Sequence, residues 1–552
     1  MQTCLTCRSP FTTNAADHAF YARLEVPAPQ HCVLCRRVQL MAWRNERTLY
    51  GASCQKCNRT MVSCFSPNSQ LHIICPSCWW SDDFDPLLSG RDFDFSRPFF
   101  EQFWELMHAT PIGALFIASS ENSEYSNFAV NNKDCYMVTA SDNNQDTLYA
   151  DNSNGNSDSC DISFVHKGEL NYDCVDLVGC YSCIGSQNLK NSNFCRYSRD
   201  LINCSDCIGC VGLRNKQYCI LNRQFTKEQF EKAKEKMELQ THTGVARLMA
   251  HMYALEKKQP HKFSQNINAE SCTGNYIVNS KDCRECFDME NCQDCTYSIF
   301  GDRTKDAYDI YGAPGSELVY QSVAIVESYN MQFDCLAWPG SNDVSYSFLT
   351  RGAKNSFGCV SLKKNTYCIL NKQYSKEEYE KLRTRIVEHM ERTGEYGQFF
   401  PLKYSPWSYN ETIAQDYAPK TKEQVAALGG RWEDNLPGTF GKQTLSNIPD
   451  NITEVAASIT KEILACTECE RNFKVISQEL KFYKQQGIPL PIKCPTCRYR
   501  ARLAQRNQRQ LIERQCMNEP CQNRFQTTYT KERPQIIYCE TCYLSTGARG
   551  QN

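Results

Sequence analysis

Through the middle of the chain the apolar residues come in runs of two to four, cut by Asn, Asp, Gly and Ser, as at 188–193 and 201–207. Strands this short, separated by tight turns, predict a solenoid of stacked rungs. The region is duplicated at an offset of about 149: the nine residues ending at Cys135 recur in nearly every position in those ending at Cys283. The ends match as well, Gly209 to Asn222 recurring as Gly358 to Asn371. Asp-Cys or Ser-Cys pairs at 134/135, 159/160, 173/174, 206/207, 282/283, 294/295 and 334/335 predict a ladder of small buried cysteines and hydrogen-bonding asparagines, although their gaps are unequal. Each repeat closes on an amphipathic helix, from Thr226-Lys227 and Ser375-Lys376, with a capping-box partner at Gln229 or Glu378. Phe225 and Phe230, and Tyr374 and Tyr379, fall on one face of these helices and predict a cap over each repeat's open edge.

Outside the duplication the pattern changes. Residues 394–463 hold Pro401, Pro406, Pro419, Pro437 and Pro449, with helical stretches at 421–428 and 451–464, and read as an ordered connector. The predicted organisation is a metal module over 1–85, a helical connector over 86–120, repeats over 121–260 and 261–393, the connector over 394–463 and a second module over 464–545. The fold class is therefore mainly β, a duplicated solenoid-like centre flanked by tandem metal modules, with short capping helices.

Those modules are defined by cysteine. Cys4-x2-Cys7 and Cys32-x2-Cys35 are separated by twenty-four residues, and so are Cys466-x2-Cys469 and Cys494-x2-Cys497. A second quartet follows each: Cys54, Cys57, Cys75 and Cys78, then Cys516, Cys521, Cys539 and Cys542. Paired knuckles at this spacing suit closed four-thiolate zinc sites, with no position left for a substrate, so about four Zn2+ per chain are expected. The chain opens without a charged, apolar signal segment, which favours reduced thiols and a cytoplasmic location over disulfides. In the middle, Cys204-x2-Cys207-x2-Cys210 has part of an iron–sulfur spacing but lacks the closing Cys-Pro, and the pair of knuckles from Cys283 to Cys295 is tight for a fifth zinc; ladder packing is preferred for both. Cys64 has no counterpart in the C-terminal module and reads as a buried strand residue.

Residues between the knuckles repeat too: Phe11 and Phe473, Phe20-Tyr21 and Phe482-Tyr483, Pro27 and Pro489, and the arginines at 36 and 498 after the last knuckle cysteine. This pattern resembles the probable treble-clef zinc-binding domain. Segments from Cys78 to Phe103, with Tyr409 to Thr412, resemble an uncharacterised family of large zinc-ribbon proteins from candidate-phylum bacteria, a resemblance that brings no activity with it. The CoA-transferase label that some members carry finds no α/β alternation and no carboxylate nucleophile motif in this sequence.

Hydrophobic residues make up 41% and charged residues 22% of the 552-residue chain, as in soluble globular proteins, and no membrane span is evident. The net charge of −1 hides an asymmetry: 470–533 carries +9, 1–80 carries +5 and 81–469 carries −15. Four thiolates on each zinc leave a local charge of about −2, so only the C-terminal module stays clearly cationic. Its arginines, Arg498, Arg500, Arg502, Arg506, Arg509 and Arg514, fall partly at helical spacing and could track phosphates, which makes RNA or a ribonucleoprotein the first partner expected. The competing expectation is a protein partner on the acidic middle, anchored by Trp338 and Trp407. Catalysis finds little support: the nine histidines show no ligand spacing, and GxSxG, P-loop and GxGxxG motifs are absent, with no small-molecule substrate evident. A β-helix carbohydrate-active enzyme, with carboxylates among Asp142, Asp146, Asp151, Asp158 and Asp161, is the lesser alternative to a non-enzymatic zinc-binding scaffold.

Overall fold

A computed structural model of the protein describes residues 1–445 and 447–548. Two compact units account for the chain, and neither is contiguous in sequence. One combines Met1–Leu115 with Ser264–Leu436, the other Phe116–Phe263 with Pro437–Asn552. Each therefore holds one cysteine-rich terminal module and one solenoid repeat, with the N-terminal module on the second repeat and the C-terminal module on the first.

The solenoid rests on a period of three. From Asn122 to Leu221 nearly every third residue takes a left-handed backbone, as at Asn131, Asp134, Met137, Ala140 and Asn143, all with φ between 48° and 58°. Each corner is followed by an inward residue, so Asn132, Cys135, Val138, Ser141 and Asn144 are all buried. Parallel pairing runs twelve residues apart, Leu148 to Cys160 to Tyr172 and Val175 to Gln187 to Arg199, which makes four three-residue sides per rung. The abundance of Asn and Asp follows, since these residues accept the left-handed region that others resist. A corner costs about 1–2 kcal/mol without glycine. Against it, each triplet gains two ladder hydrogen bonds, such as Lys133 N to Asn144 O at 2.9 Å and Asp134 N to Glu121 O at 3.0 Å, together with a buried side chain.

Small residues fill the tube because four sides of three leave room for nothing larger than Leu or Met. Polar ones are paired along the axis: Asn144 Nδ2 donates to Asn132 Oδ1 at 3.0 Å, Asn156 repeats this on Asn144, and Ser153 Oγ donates to Asp151 O while accepting from Val165 N. The cysteine ladder is present: Cys183, Cys195, Cys207 and Cys219 sit twelve residues apart, each wholly or almost wholly buried. Within each repeat the gaps between inward members are multiples of three, from Cys135 to Cys174 to Cys207 and from Cys283 to Cys295, which is the triplet repeat seen from inside. Cys160 and Cys335 are corrections to that ladder, for they point outward, Cys160 Sγ lying 3.9 Å from Tyr483 Oη and Cys335 Sγ donating to Trp43 O at 3.3 Å.

The second repeat follows the same plan, with one wider rung where Tyr329 pairs with Asn342, thirteen residues on. The capping helices span Lys227–Glu235 and Lys376–Thr393, each with a complete capping box and with Phe230 or Tyr379 buried. The stretch 451–464 forms only 3-10 turns at Ile452–Glu454 and Ala457–Lys461. After each first quartet a helix runs over Val33–Met41 or Pro495–Leu503, with Cys32 or Cys494 at its N-cap. Among the described residues no helix is long and apolar enough to cross a membrane.

Candidate metal centres and their docking clamps

The sixteen predicted ligands gather into four tetrads in which all the sulfur atoms lie within 4.8 Å of one another. Cys7 Sγ is 3.7 Å from Cys32 Sγ, Cys57 is 3.8 Å from Cys75, Cys469 is 3.7 Å from Cys494 and Cys521 is 4.0 Å from Cys539. A tetrahedral ion with metal–sulfur bonds of about 2.3 Å separates its thiolates by about 3.8 Å, so the donor sets fit a metal of that size. Short hairpins position the knuckles: Gln2–Thr3 pairs with Pro10–Phe11, and Tyr50–Ser53 with Thr60–Ser63. The chain reverses behind the knuckles through left-handed Arg8, Asn58 and Glu470. Backbone amides then point at sulfur, Cys32 N at Cys4 Sγ (3.3 Å), Cys75 N at Cys54 Sγ (3.2 Å) and Cys539 N at Cys516 Sγ (3.3 Å). Burial opposes ionisation of Cys54, yet the amides of Cys75, Cys57 and Lys56 bring its thiol down to about 6. Cys516-x4-Cys521 closes its tetrad despite the longer spacing.

One residue beyond the last ligand of each first quartet stands an arginine that enters the solenoid wall. In the first unit Arg36 Nη2 meets Asp309 Oδ1 at 2.9 Å, both side chains almost fully buried. Its guanidinium lies over the Tyr297 ring at 5.6 Å, and Tyr297 donates to Asp17 Oδ2 at 3.2 Å. Arg284 closes the group on the other oxygen of Asp17. In the second unit Arg498 Nε meets Asp161 Oδ2 at 3.0 Å and its Nη2 meets Glu479 Oε1 at 3.1 Å. The Tyr149 ring lies 4.7 Å from that guanidinium and its hydroxyl donates to Glu479 Oε2 at 3.1 Å. Burial lifts the Asp309 and Glu479 carboxyls above their ordinary range while the facing arginines pull against it.

This geometry relocates several residues. The phosphate-tracking stripe is corrected: Arg498, Arg502 and Arg506 are buried in ion pairs, Arg502 Nη1 with Asp161 Oδ1 at 2.8 Å and Arg506 Nε with Asp176 Oδ1 at 3.1 Å. Arg500 stays exposed, Arg509 is half-buried, and Arg514 donates to the carbonyls of Tyr529 and Thr530. Asp161 belongs to the clamp rather than to a carboxylate face; Asp151 is buried and accepts from Thr139 Oγ1, Asp142 accepts from Val130 N, and only Asp146 and Asp158 share a left-handed column. Trp407 is buried, stacked on Phe65 at 5.2 Å with its Nε1 donating to Cys64 O, so it offers no anchor; Trp338 is half-exposed. Cys64 is buried as expected. Sequence reasoning missed the clamp, although its signal was there: Tyr149 and Asp161 recur as Tyr297 and Asp309 at the repeat offset, as Arg36 recurs as Arg498.

Comparison with protein-family models, curated proteins and solved structures found no match for this chain.

Proposed function

We propose that the protein is a non-enzymatic scaffold in which about four Zn2+ ions, held by treble-clef and zinc-ribbon modules, pin two small modules to the walls of a β-solenoid that meets a macromolecular partner in a reducing, cytoplasmic setting. The carrying observation is that the knuckle cysteine and the buried clamp arginine are neighbours in sequence, Cys35 with Arg36 and Cys497 with Arg498. A metal that fixes the first therefore fixes the second, and an ion-paired arginine enters a buried site only if its position is set. Four thiolates per site, with no open position, support a structural rather than a catalytic metal. The buried arginines of the C-terminal module support docking rather than RNA contact at that helix.

Chelation followed by limited proteolysis tests this reading. Metal removal is expected to release both modules for digestion while the solenoid rungs persist; stripped protein that kept its modules protected would contradict it.

A further inference from the structure

On the wall of the first unit, three successive rungs carry Trp338, Arg351 and Lys363 in register. The second tetrad of the N-terminal module places Trp79 and Trp80 beside them. Trp80 meets Trp338 edge-on at 5.4 Å and Trp79 at 4.9 Å, and the Arg351 guanidinium lies 4.5 Å from the Trp80 ring. Lys363 Nζ lies 4.6 Å from the Trp79 ring and 4.9 Å from Phe84, and donates to Trp79 O. Lys56 and Lys364 add to the positive field at this amine, opposed by Asp82; burial first, and then Arg351, bring Lys363 down to about 8. Trp80, Trp338 and Arg351 remain half-exposed, and Lys364 is exposed.

The second unit shows what docking alone requires at this place. There the corresponding rungs carry Lys190, Ile202 and Arg214, again in register, and Arg214 Nη2 reaches Tyr543 Oη at 3.2 Å. Arg214 and Tyr543 join module to wall there, and beside them the strand Pro260–Lys262 pairs with Ile536–Tyr538 of the module. The first unit has instead three tryptophans, Trp79, Trp80 and Trp338, with Arg351, Lys364 and Lys56 gathered around Lys363.

We propose that this cation–aromatic platform is a binding site for single-stranded nucleic acid. The inference rests on the scaffold reading and names its partner class. The half-exposed Trp338 ring supplies a stacking face for a base, worth about 1–3 kcal/mol, and Arg351, Lys364 and Lys56 supply counter-charge for the backbone. Double-stranded nucleic acid offers no free base faces along its length, and the carboxylates of an acidic polypeptide have no ring to stack.

Titration of the metal-loaded full chain into a fluorescein-labelled oligothymidylate or oligouridylate of about twenty nucleotides, followed by anisotropy, tests it. The expected result is binding that weakens steeply with salt and falls by about tenfold in Trp338→Ala and again in Lys364→Glu, with Trp338→Phe close to the parent. Absence of binding at low salt, insensitivity to both substitutions, or displacement by polyglutamate as effectively as by unlabelled oligonucleotide would overturn the proposal. Metal content measured on the same samples separates the two ideas: full metal without nucleic-acid binding removes only the platform, whereas low metal with loosened modules removes the scaffold reading beneath it.

Discussion

The two units dock a cysteine-tetrad module on a solenoid wall with the same parts and different degrees of elaboration. Arg36 and Arg498 are equivalent, as are Asp309 and Asp161, Tyr297 and Tyr149, and Asp17 and Glu479. Around this shared centre the second unit adds ion pairs with acids of the wall, whereas in the first unit Arg37 donates to the Glu285 carbonyl at 2.8 Å and Arg44 lies over the Tyr311 ring at 5.7 Å. Arg502 of the second unit shares Asp161, where the first unit has Leu40, and Arg506 pairs with Asp176, where the first unit has Ala324. Deprived of that acid, Arg44 of the first unit turns to Glu46 of its own module at 2.5 Å. The first unit relies more on rings: Phe20 stacks on Tyr308 at 3.8 Å and 6°, where the second unit has Cys160 against Tyr483. The lesson is that the neighbour of the tetrad cysteine, once buried opposite an acid, is the part that both copies hold in common, while surrounding contacts trade charge for aromatic area.

The comparison can be broken most sharply at its acids. Asp161 serves two arginines and Asp309 one, and removing one partner of a buried pair costs about 3–5 kcal/mol. Asp161→Ala is therefore expected at the top of that range and Asp309→Ala at the bottom, read as lost stability of the unit concerned in denaturant unfolding; the reverse order would show that the extra arginines do not act through Asp161.

A smaller difference separates the tubes. Asp334 points into the wider rung of the first unit, accepting from Ser347 N at 2.8 Å and Gln332 N at 3.1 Å, where the second unit has Ser186. Its longer side chain spans the thirteen-residue step that Ser186 Oγ does not need to span in reaching Ser198 N, twelve residues on. Burial without a facing cation holds its carboxyl well above the ordinary carboxylate range. A raised folded-state value means that the contribution is fully present below the unfolded value of about 4 and is lost as pH rises through the folded one. The first unit should accordingly lose stability with rising pH at this position, and Asp334→Asn should flatten the slope; an unchanged slope in the variant would assign the effect elsewhere.

The smallest effect is expected inside the ladder. Cys195→Ser should cost about 1 kcal/mol or less in thermal unfolding, because Ser186, Ser192 and Ser198 already fill such positions with hydroxyls bonded to carbonyls two residues back.

Much of this was legible in the sequence. Cysteine spacing alone located the four tetrads, since thiolates at those separations have few other uses, and the duplication announced the two repeats. The triplet period was hidden because Tyr149, Phe164, Leu170 and Met137 occupy left-handed corners, where sequence reasoning expects Asn, Asp or Gly. Once each rung is paired above and below, its backbone bonds override that local preference. The buried arginines were hidden for a related reason: a basic helix reads as solvent-facing until an acid 337 residues away in sequence, as Asp161 is from Arg498, is known to face it.

Metal analysis of the purified full chain, alongside Cys4→Ser and Cys195→Ser, tests the central claim most directly. About four zinc per chain without visible absorption, a lower content in Cys4→Ser and an unchanged one in Cys195→Ser would agree with closed tetrads and a metal-free ladder. Iron with absorption near ~400 nm that disappears in Cys195→Ser would contradict it, and would place the metal inside the solenoid.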